Sequence, residues 1–384
     1  MKRKQLIILA LLTLAAVVLV LVLDPSGQGA PDNPDAGLLP GLQDQVNDID
    51  AIDVIAPGGQ RSVTLRRDQA RWRVGEKDDY EADFAQVAEL LRVLREARID
   101  EAKTANPQWY SRLGVQDMTA PDASGRRLDF PGSPVSSVII GQAGPTGSGS
   151  YARRADEQRS WLLDRLIEVP IDPVAWLERS IMDIGFEDLA EVVIRHPDGE
   201  TVRLRRAGDE DPEFVLLEVP EDARAGPARL RKAIANGLRG LNLEDVRRHQ
   251  PPLPDDAVRV LFVTIDGLNF VADVWQDDES AHWIHFTVSA ENSATDVEAD
   301  PLPSEASDPA GSDDPSAMAE AEVGLDEASA GDDMDDDAAT ERLVSAVAVD
   351  ARLSPWEFRI SERRFEDLTR RMDALLEAPG ESTE

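Results

Sequence analysis

Short apolar runs alternate with polar residues along most of the chain, and the runs fall into two similar groups. Ile52-Asp-Val-Ile-Ala-Pro-Gly-Gly-Gln-Arg-Ser-Val-Thr-Leu-Arg-Arg67 is an apolar run, a Pro-x-Gly turn and an alternating Val-x-Leu run, the pattern of a β-hairpin. Val192-Val-Ile-Arg-His-Pro-Asp-Gly-Glu-Thr-Val-Arg-Leu-Arg-Arg206 repeats it: Pro57 matches Pro197, Gly59 matches Gly199, and Val63, Leu65, Arg66 and Arg67 match Val202, Leu204, Arg205 and Arg206. A third strand is expected after each hairpin, over 71–74 and 214–219. The period then becomes helical. Asp83 is placed to cap a helix with Gln86 as its capping-box partner, and Phe84, Val87, Leu90, Leu91 and Leu94 make one apolar stripe. Pro227 suits the first turn of the second helix, whose stripe is Leu230, Ile234, Leu238 and Leu241.

Further strands are expected over 135–140, 151–154 and 161–163 in the first copy and over 258–265, 283–288 and 356–360 in the second. Each copy then closes on a helix. One has Asp172 as N-cap and Pro173, Val174 and Leu177 inside; the other is capped by Ser361, with Phe365, Leu368, Met372, Leu375 and Leu376 on one side. The pattern predicts an α+β protein: an N-terminal transmembrane helix, then two tandem repeats of a β-β-β-α-β-β-β-α unit with mostly antiparallel sheets, over 48–182 and 186–378.

The transmembrane element rests on the start of the chain. Lys2, Arg3 and Lys4 precede an unbroken apolar run from Leu6 to Leu23 with Thr13 as its one polar member, and Asp24 and Pro25 end it. As a helix it spans roughly 27 Å, near the thickness of a bilayer's hydrocarbon. Bases on one side and an acid on the other place the N-terminus in the cytoplasm and the bulk across the membrane. The run is longer than a signal peptide's apolar core, and Leu-Val-Leu-Asp-Pro is a poor cleavage site, so residues 1–24 read as a cytoplasmic tip and uncleaved anchor. Pro25, Pro31, Pro34 and Pro40 make 25–47 a flexible linker.

Charge adds a second irregularity. The chain carries 75 acids against 40 Lys and Arg, a net charge of −35, which argues against a nucleic-acid partner. Seventeen of the acids, with no base, lie in 291–340 among Ala, Ser, Pro and Gly. Such a segment cannot bury enough apolar surface to order itself, so it reads as a disordered insert between strands of the second copy. Asp332-Asp-Met-Asp-Asp-Asp337 resembles a calcium loop in composition, but the sixth position from Asp332 is Asp337 rather than Gly, and the twelfth is Leu343. Residues 379–384 are a tail. Cysteine is absent, which removes disulfides, thiol nucleophiles and Cys-ligated zinc.

Candidate chemistry is thin. Of the four histidines, His282 and His285 are three apart in a strand and point to opposite faces, a poor chelating geometry. His196 is expected exposed beside the hairpin turn, and His249 lies in a polar, Pro-flanked linker. Gly141-Gln-Ala-Gly-Pro-Thr-Gly-Ser-Gly149 lacks the Lys-Ser/Thr of a phosphate loop and reads as a strand connection. Arg66-Arg67 and Arg205-Arg206 fit local ion pairs more simply than an anion site. Trp109-Tyr110, Trp275, Trp283 and Trp356 could mark a binding face, with a place in the core as the simpler account. No catalytic, cofactor-binding or metal residue is assigned.

These parts together resemble the bacterial family called domain of unknown function 4340. The resemblance is carried by the basic tip and anchor, by the hairpin ending Arg71-Trp-Arg-Val74 with its helix, by Trp109-Tyr-Ser-Arg-Leu-Gly114 as a variant of a Tyr-Gly-Leu element, by the strand ending Ile139-Ile-Gly141, and by Tyr151-Ala-Arg153. It covers about 1–290 and 343–378. It implies a bacterial inner-membrane, single-pass protein with its bulk in the periplasm, associated with ABC-type transporter permease or auxiliary subunits. No catalytic residue comes with it. The function expected is a non-enzymatic accessory component of an ABC-type transport or gliding-like cell-surface system. The alternatives are a module binding an envelope polymer or a cation, and, third, a carboxylate-dependent hydrolase.

Overall fold

The structure, a computed structural model, describes residues 37–208, 213–290 and 332–377, with only the backbone described over 332–339. The expected anchor from Leu6 to Leu23, residues 25–36 of the linker, residues 291–331 of the insert and the tail lie outside the described residues. Among the described residues no helix is long and apolar enough to cross a membrane. The chain divides into two units between Glu178 and Arg179.

The first unit takes in the end of the expected linker. Leu38, Leu39, Leu42 and Ile49 are buried, and a short helix α1 (Leu42–Gln45) forms. Leu38 N donates to Ala97 O at 3.0 Å, and its carbonyl accepts from Arg154 Nε at 2.7 Å. Four prolines set the flexible reading of 25–47; the apolar cluster Leu38-Leu39-Pro-Gly-Leu42 overrides it at this end by docking.

The strands are β1 (Ala51–Ile55), β2 (Arg61–Asp68), β3 (Arg71–Val74), β4 (Tyr80–Glu81), β5 (Ile99–Ala102), β6 (Arg126–Asp129), β7 (Val138–Ala143), β8 (Ser150–Arg154) and β9 (Ser160–Leu163). They form one antiparallel sheet ordered β4-β3-β2-β1-β6-β7-β8-β9-β5. The β1–β2 turn needs positive φ at Gly58 and Gly59, which the Pro-x-Gly signal supplied. Helix α2 (Phe84–Glu96) starts where Asp83 accepts from the backbone N–H groups of Ala85 and Gln86. Val87, Leu90, Leu91 and Leu94 are buried. Phe84, the first helical residue, remains 63% exposed, so the apolar stripe is covered only from the second turn on. The helix expected after Asp172 is a single 3₁₀ turn (Pro173–Trp176), capped by Asp172 and held by the fully buried Trp176, whose Nε1 donates to Pro170 O at 3.0 Å.

The variant Tyr-Gly-Leu element forms a 3₁₀ turn (Pro107–Arg112) whose following residue, Leu113, bonds to the end of β7. Tyr110, Val115, Met118 and Ile139 form one buried cluster. Gln142 N donates to Leu113 O at 2.9 Å, and a Cβ added to Gly141 would sit 2.1 Å from that same carbonyl oxygen. Because the obstacle is backbone, we expect Gly141→Ala to cost at least about 1–3 kcal/mol, read as a lower urea midpoint. An unchanged midpoint would mean that the 110–118 segment can shift away.

The second unit has β10 (Ser180–Met182), β11 (Leu189–Arg195), β12 (Thr201–Arg206), β13 (Phe214–Leu216), β14 (Leu241–Asn242), β15 (Asp245–Arg248), β16 (Val258–Thr264), β17 (Asn269–Gln276), β18 (His282–Ser289) and β19 (Trp356–Ile360). β10 pairs with β14, which places 180–182 in this unit rather than in the first. The other strands form an antiparallel sheet ordered β13-β12-β11-β16-β17-β18-β19-β15. Set β4 aside and the two sheets have the same order, strand for strand. Helix α3 (Ala228–Ala235) follows Pro227 but ends early: Leu238 and Leu241 are buried beyond it.

The acidic insert ends sooner than its composition suggests. Helix α4 (Asp332–Leu353) begins within it, so the Asp332–Asp337 run, weighed above as a calcium loop, has helical backbone. Propensity favours this: Ala338, Ala339, Glu341, Arg342 and Leu343 are good helix formers, and acids suit a helix N-terminus. Ala346 and Leu353 are buried, whereas Leu343, Val344 and Val347 are exposed.

After β19 comes α5 (Glu362–Leu368), then a 3₁₀ turn (Asp373–Leu375) in place of a longer helix. Arg371 pairs with Asp198 at 2.8 Å and with Glu200, and Met372 N donates to Glu200 Oε1 at 2.7 Å. Asp198 is held below the ordinary carboxylate range by the Glu200 backbone N–H and by Arg371, and Glu200 by the Met372 N–H and Arg371. The face of the sheet that includes Phe262, Phe286 and Phe358 carries the fully buried core.

Candidate functional site

In an antiparallel sheet, directly paired residues lie side by side on one face. In the second unit Arg259 pairs with Asp273, Asp273 with His285, His285 with Glu357, and Glu357 with Arg247. Five strands, β16, β17, β18, β19 and β15, thus carry a row in which a histidine is flanked by two acids and these by two arginines. Asp273, His285 and Glu357 are each at least nine-tenths buried.

Every carboxylate in the row is engaged. Asp273 accepts from Arg259 Nε at 2.8 Å. Glu357 accepts from Arg247 Nε at 2.7 Å, from Gln250 N at 2.9 Å and from His249 Nδ1 at 3.0 Å. The Arg247 guanidinium lies 3.8 Å over the Trp283 ring. His249 stacks on His285 with centroids 3.9 Å apart. The acceptors assign the tautomers: His249 carries its proton on Nδ1, facing Glu357, and His285 carries its own on Nε2, which donates to Ser354 O at 2.9 Å. Nδ1 of His285 is buried with no hydrogen-bond partner among the described residues. Burial, followed by the neighbouring His249, holds the His285 imidazole below its ordinary pKa.

A carboxylate that orients an imidazole and leaves Nε2 outward is half of a general-base arrangement. No described hydroxyl group is hydrogen-bonded to His249, so the dyad has no nucleophile beside it. Among the described residues, the row included, no group of three His, Asp or Glu is placed to hold a metal ion.

The structure locates the other candidates. Arg66 pairs with buried Asp53 at 2.7 Å, joined by Arg61 at 2.8 Å, and Arg67 pairs with Asp50. Arg205 pairs with Glu191 at 3.4 Å, joined by Arg203 at 3.1 Å. In both sheets a buried acid on the first strand of the hairpin is neutralised by two arginines of the second. His196, expected exposed, is buried, because the β11–β12 turn is covered by the 371–372 segment. His249 leaves its linker to join the row, and His282 stacks on Phe365 at 4.3 Å, away from His285. Of the Gly141–Gly149 stretch, 141–143 end β7 and 144–149 form the β7–β8 connection, closed by Gly144 N donating to Gly149 O at 2.7 Å. Six tryptophans are buried, and Trp109 is 44% exposed.

Arg153, named above only as part of a motif, is a buried cation. It donates to Val115 O at 2.9 Å and Glu157 O at 2.9 Å, pairs with Asp117 at 2.6 Å, and lies 4.8 Å over the Tyr110 ring. Two hollows mark the first unit. One of about 580 Å³ is lined by Asp44, Arg95, Glu96, Arg98 and Arg165, with Arg165 paired to Glu96 at 3.0 Å. The other, of about 330 Å³, is an apolar groove between α2 and the 166–170 segment that includes Leu90, Val93, Leu166 and Trp176.

The described fold defines a mixed α/β protein of two antiparallel-sheet units whose sheet charges are matched internally. Residues 72–258, just under half of the chain, match the family model described as domain of unknown function (DUF4340), from β3 to the start of β16, which supports the family likeness read in the sequence. No curated protein and no solved structure matches the chain.

Proposed function

We propose that the protein is a non-enzymatic, single-pass inner-membrane protein whose two units stand on the extracytoplasmic side and serve an ABC-type transport or cell-surface system as an accessory subunit. The observation that carries this is the basic triplet Lys2-Arg3-Lys4 ahead of the apolar run from Leu6 to Leu23, joined to a chain whose residues 72–258 match the DUF4340 model. The two units are tandem copies of one fold in this reading, supported by their common strand order and by the matched hairpins. The matched charges of both sheets suit a rigid scaffold that presents surfaces to partners.

Two experiments test the reading. The chain has no cysteine, so a single cysteine at an exposed turn, such as Gln69→Cys, reports its own side of the membrane. A membrane-impermeant maleimide applied to intact spheroplasts should label it. Labelling only after lysis would reverse the topology. Affinity purification from gently crosslinked membranes, with an anchor-swapped chain as control, should recover permease or ATPase subunits. Recovery of no membrane partner with abundant folded protein would remove the accessory role.

A further inference from the structure

The charge row does more than hold the sheet together, because it reaches the helix that follows the acidic insert. His285 Nε2–H donates to Ser354 O, just beyond the last residue of α4. Beside it, Asp350 Oδ1 accepts from Val288 N at 2.8 Å. These two polar bonds, with buried Ala346 and Leu353, tie the C-terminal half of α4 to β18.

His285 is tightly enclosed by charge. Asp273 faces it from β17, already paired with Arg259 of β16. Glu357 faces it from β19, already bonded to Arg247 of β15 and to His249. His249 covers the ring, and α4 contributes Asp350 and the Ser354 carbonyl. With both imidazoles neutral, Asp273 and Glu357 balance Arg259 and Arg247, and Asp350 adds a third carboxylate, bonded to Val288 N. A proton added to His285 must still be carried on a buried ring. It also creates an Nδ1–H where no described acceptor stands.

We infer that His285 is a proton-sensitive latch, holding the C-terminal half of α4 on β18 when neutral and releasing it when protonated. The charged ring gains most by reaching water, and the side that can open is the one closed by the helix end, since the flanking strands are fixed by the sheet ladder. The sign follows from burial. In the docked state burial outweighs the Ser354 hydrogen bond, which favours the charged ring, and holds the imidazole pKa down, so the open state binds the proton more readily. Docking is complete above the ordinary imidazole value of about 6.5 and weakens as pH falls below it. The inference does not depend on the accessory role or on the membrane anchor.

The test is amide hydrogen exchange on the full chain between pH 7.5 and 5.5, corrected for intrinsic rates. Exchange at Val288 and over 346–354 should accelerate as the pH drops. One proton taken up on opening sets a ceiling of about tenfold per pH unit. His285→Gln, which stays neutral and keeps an N–H donor for Ser354 O, should leave α4 docked and remove the acceleration. Equal acceleration in the variant, or none in the native chain, would overturn the latch. If the variant fails to fold, imidazole NMR shifts of the native chain decide: His285 should change protonation only as Val288 loses protection. Titration with Val288 still protected would refute the inference.

Discussion

Arg153→Ala should lower the free energy of unfolding by about 3–5 kcal/mol, one of the two largest effects expected of a single substitution in this chain. The guanidinium serves as a hub. It satisfies the carbonyls of Val115 and Glu157, takes Asp117, and stacks on Tyr110, whose hydroxyl in turn donates to Gln158 O. Truncation strands at least two carbonyl oxygens at about 1–3 kcal/mol each and leaves a hole beside the Tyr110 cluster. The ion pair itself contributes little, because Asp117 is largely exposed. Asp117→Ala should therefore cost under about 1 kcal/mol. Urea denaturation of the two variants checks this, and comparable losses would mean that the pair, not the carbonyl bonds, carries the stability.

Glu357→Ala should cost a similar amount, about 3–5 kcal/mol, for a different reason. It leaves Arg247 without its carboxylate in a row that is otherwise electrically balanced, and it removes the acceptor for Gln250 N and His249 Nδ1. Glu357→Gln keeps an acceptor oxygen for Gln250 N but removes the charge, so it should fall between the native chain and the alanine variant. Thermal or urea unfolding orders the three. A glutamine variant as stable as the native chain would show that shape rather than charge is what the row requires.

The hairpins, the cap of α2 and the strands of β-branched and aromatic residues were legible in the sequence because each rests on local chemistry: a turn that needs glycine, a carboxylate that meets free N–H groups, a period of two. Among the strands that escaped were β5, β6 and β15, along with β17 and the short β4, β10 and β14. Ile-Asp-Glu-Ala and Arg-Arg-Leu-Asp have one large apolar residue each, too few for alternation to register, and their partners fix them as strands. The expected matching of the two halves shifts with it, since β16 holds the position in its sheet order that β6 holds in the other, and not that of the strand expected at 135–140. The charge row was hidden for a related reason. Arg259, Asp273, His285 and Glu357 lie on four strands and meet only through register, and His249 comes from a loop. The one visible trace was a charged or ionisable residue in the middle of four otherwise apolar strands.

The position of the insert has its own consequence. β18 ends at Ser289 and β19 begins at Trp356, yet the two strands are directly paired neighbours. The connection between them, which includes α4, is closed at a fixed gap. For a loop the chain-closure entropy grows only as the logarithm of its length, about 0.6 kcal/mol per doubling. The sheet is therefore nearly indifferent to how many residues leave and return there. The β18–β19 connection is the point at which this fold can take on length, acidity or a fused domain while its strand register stays the same.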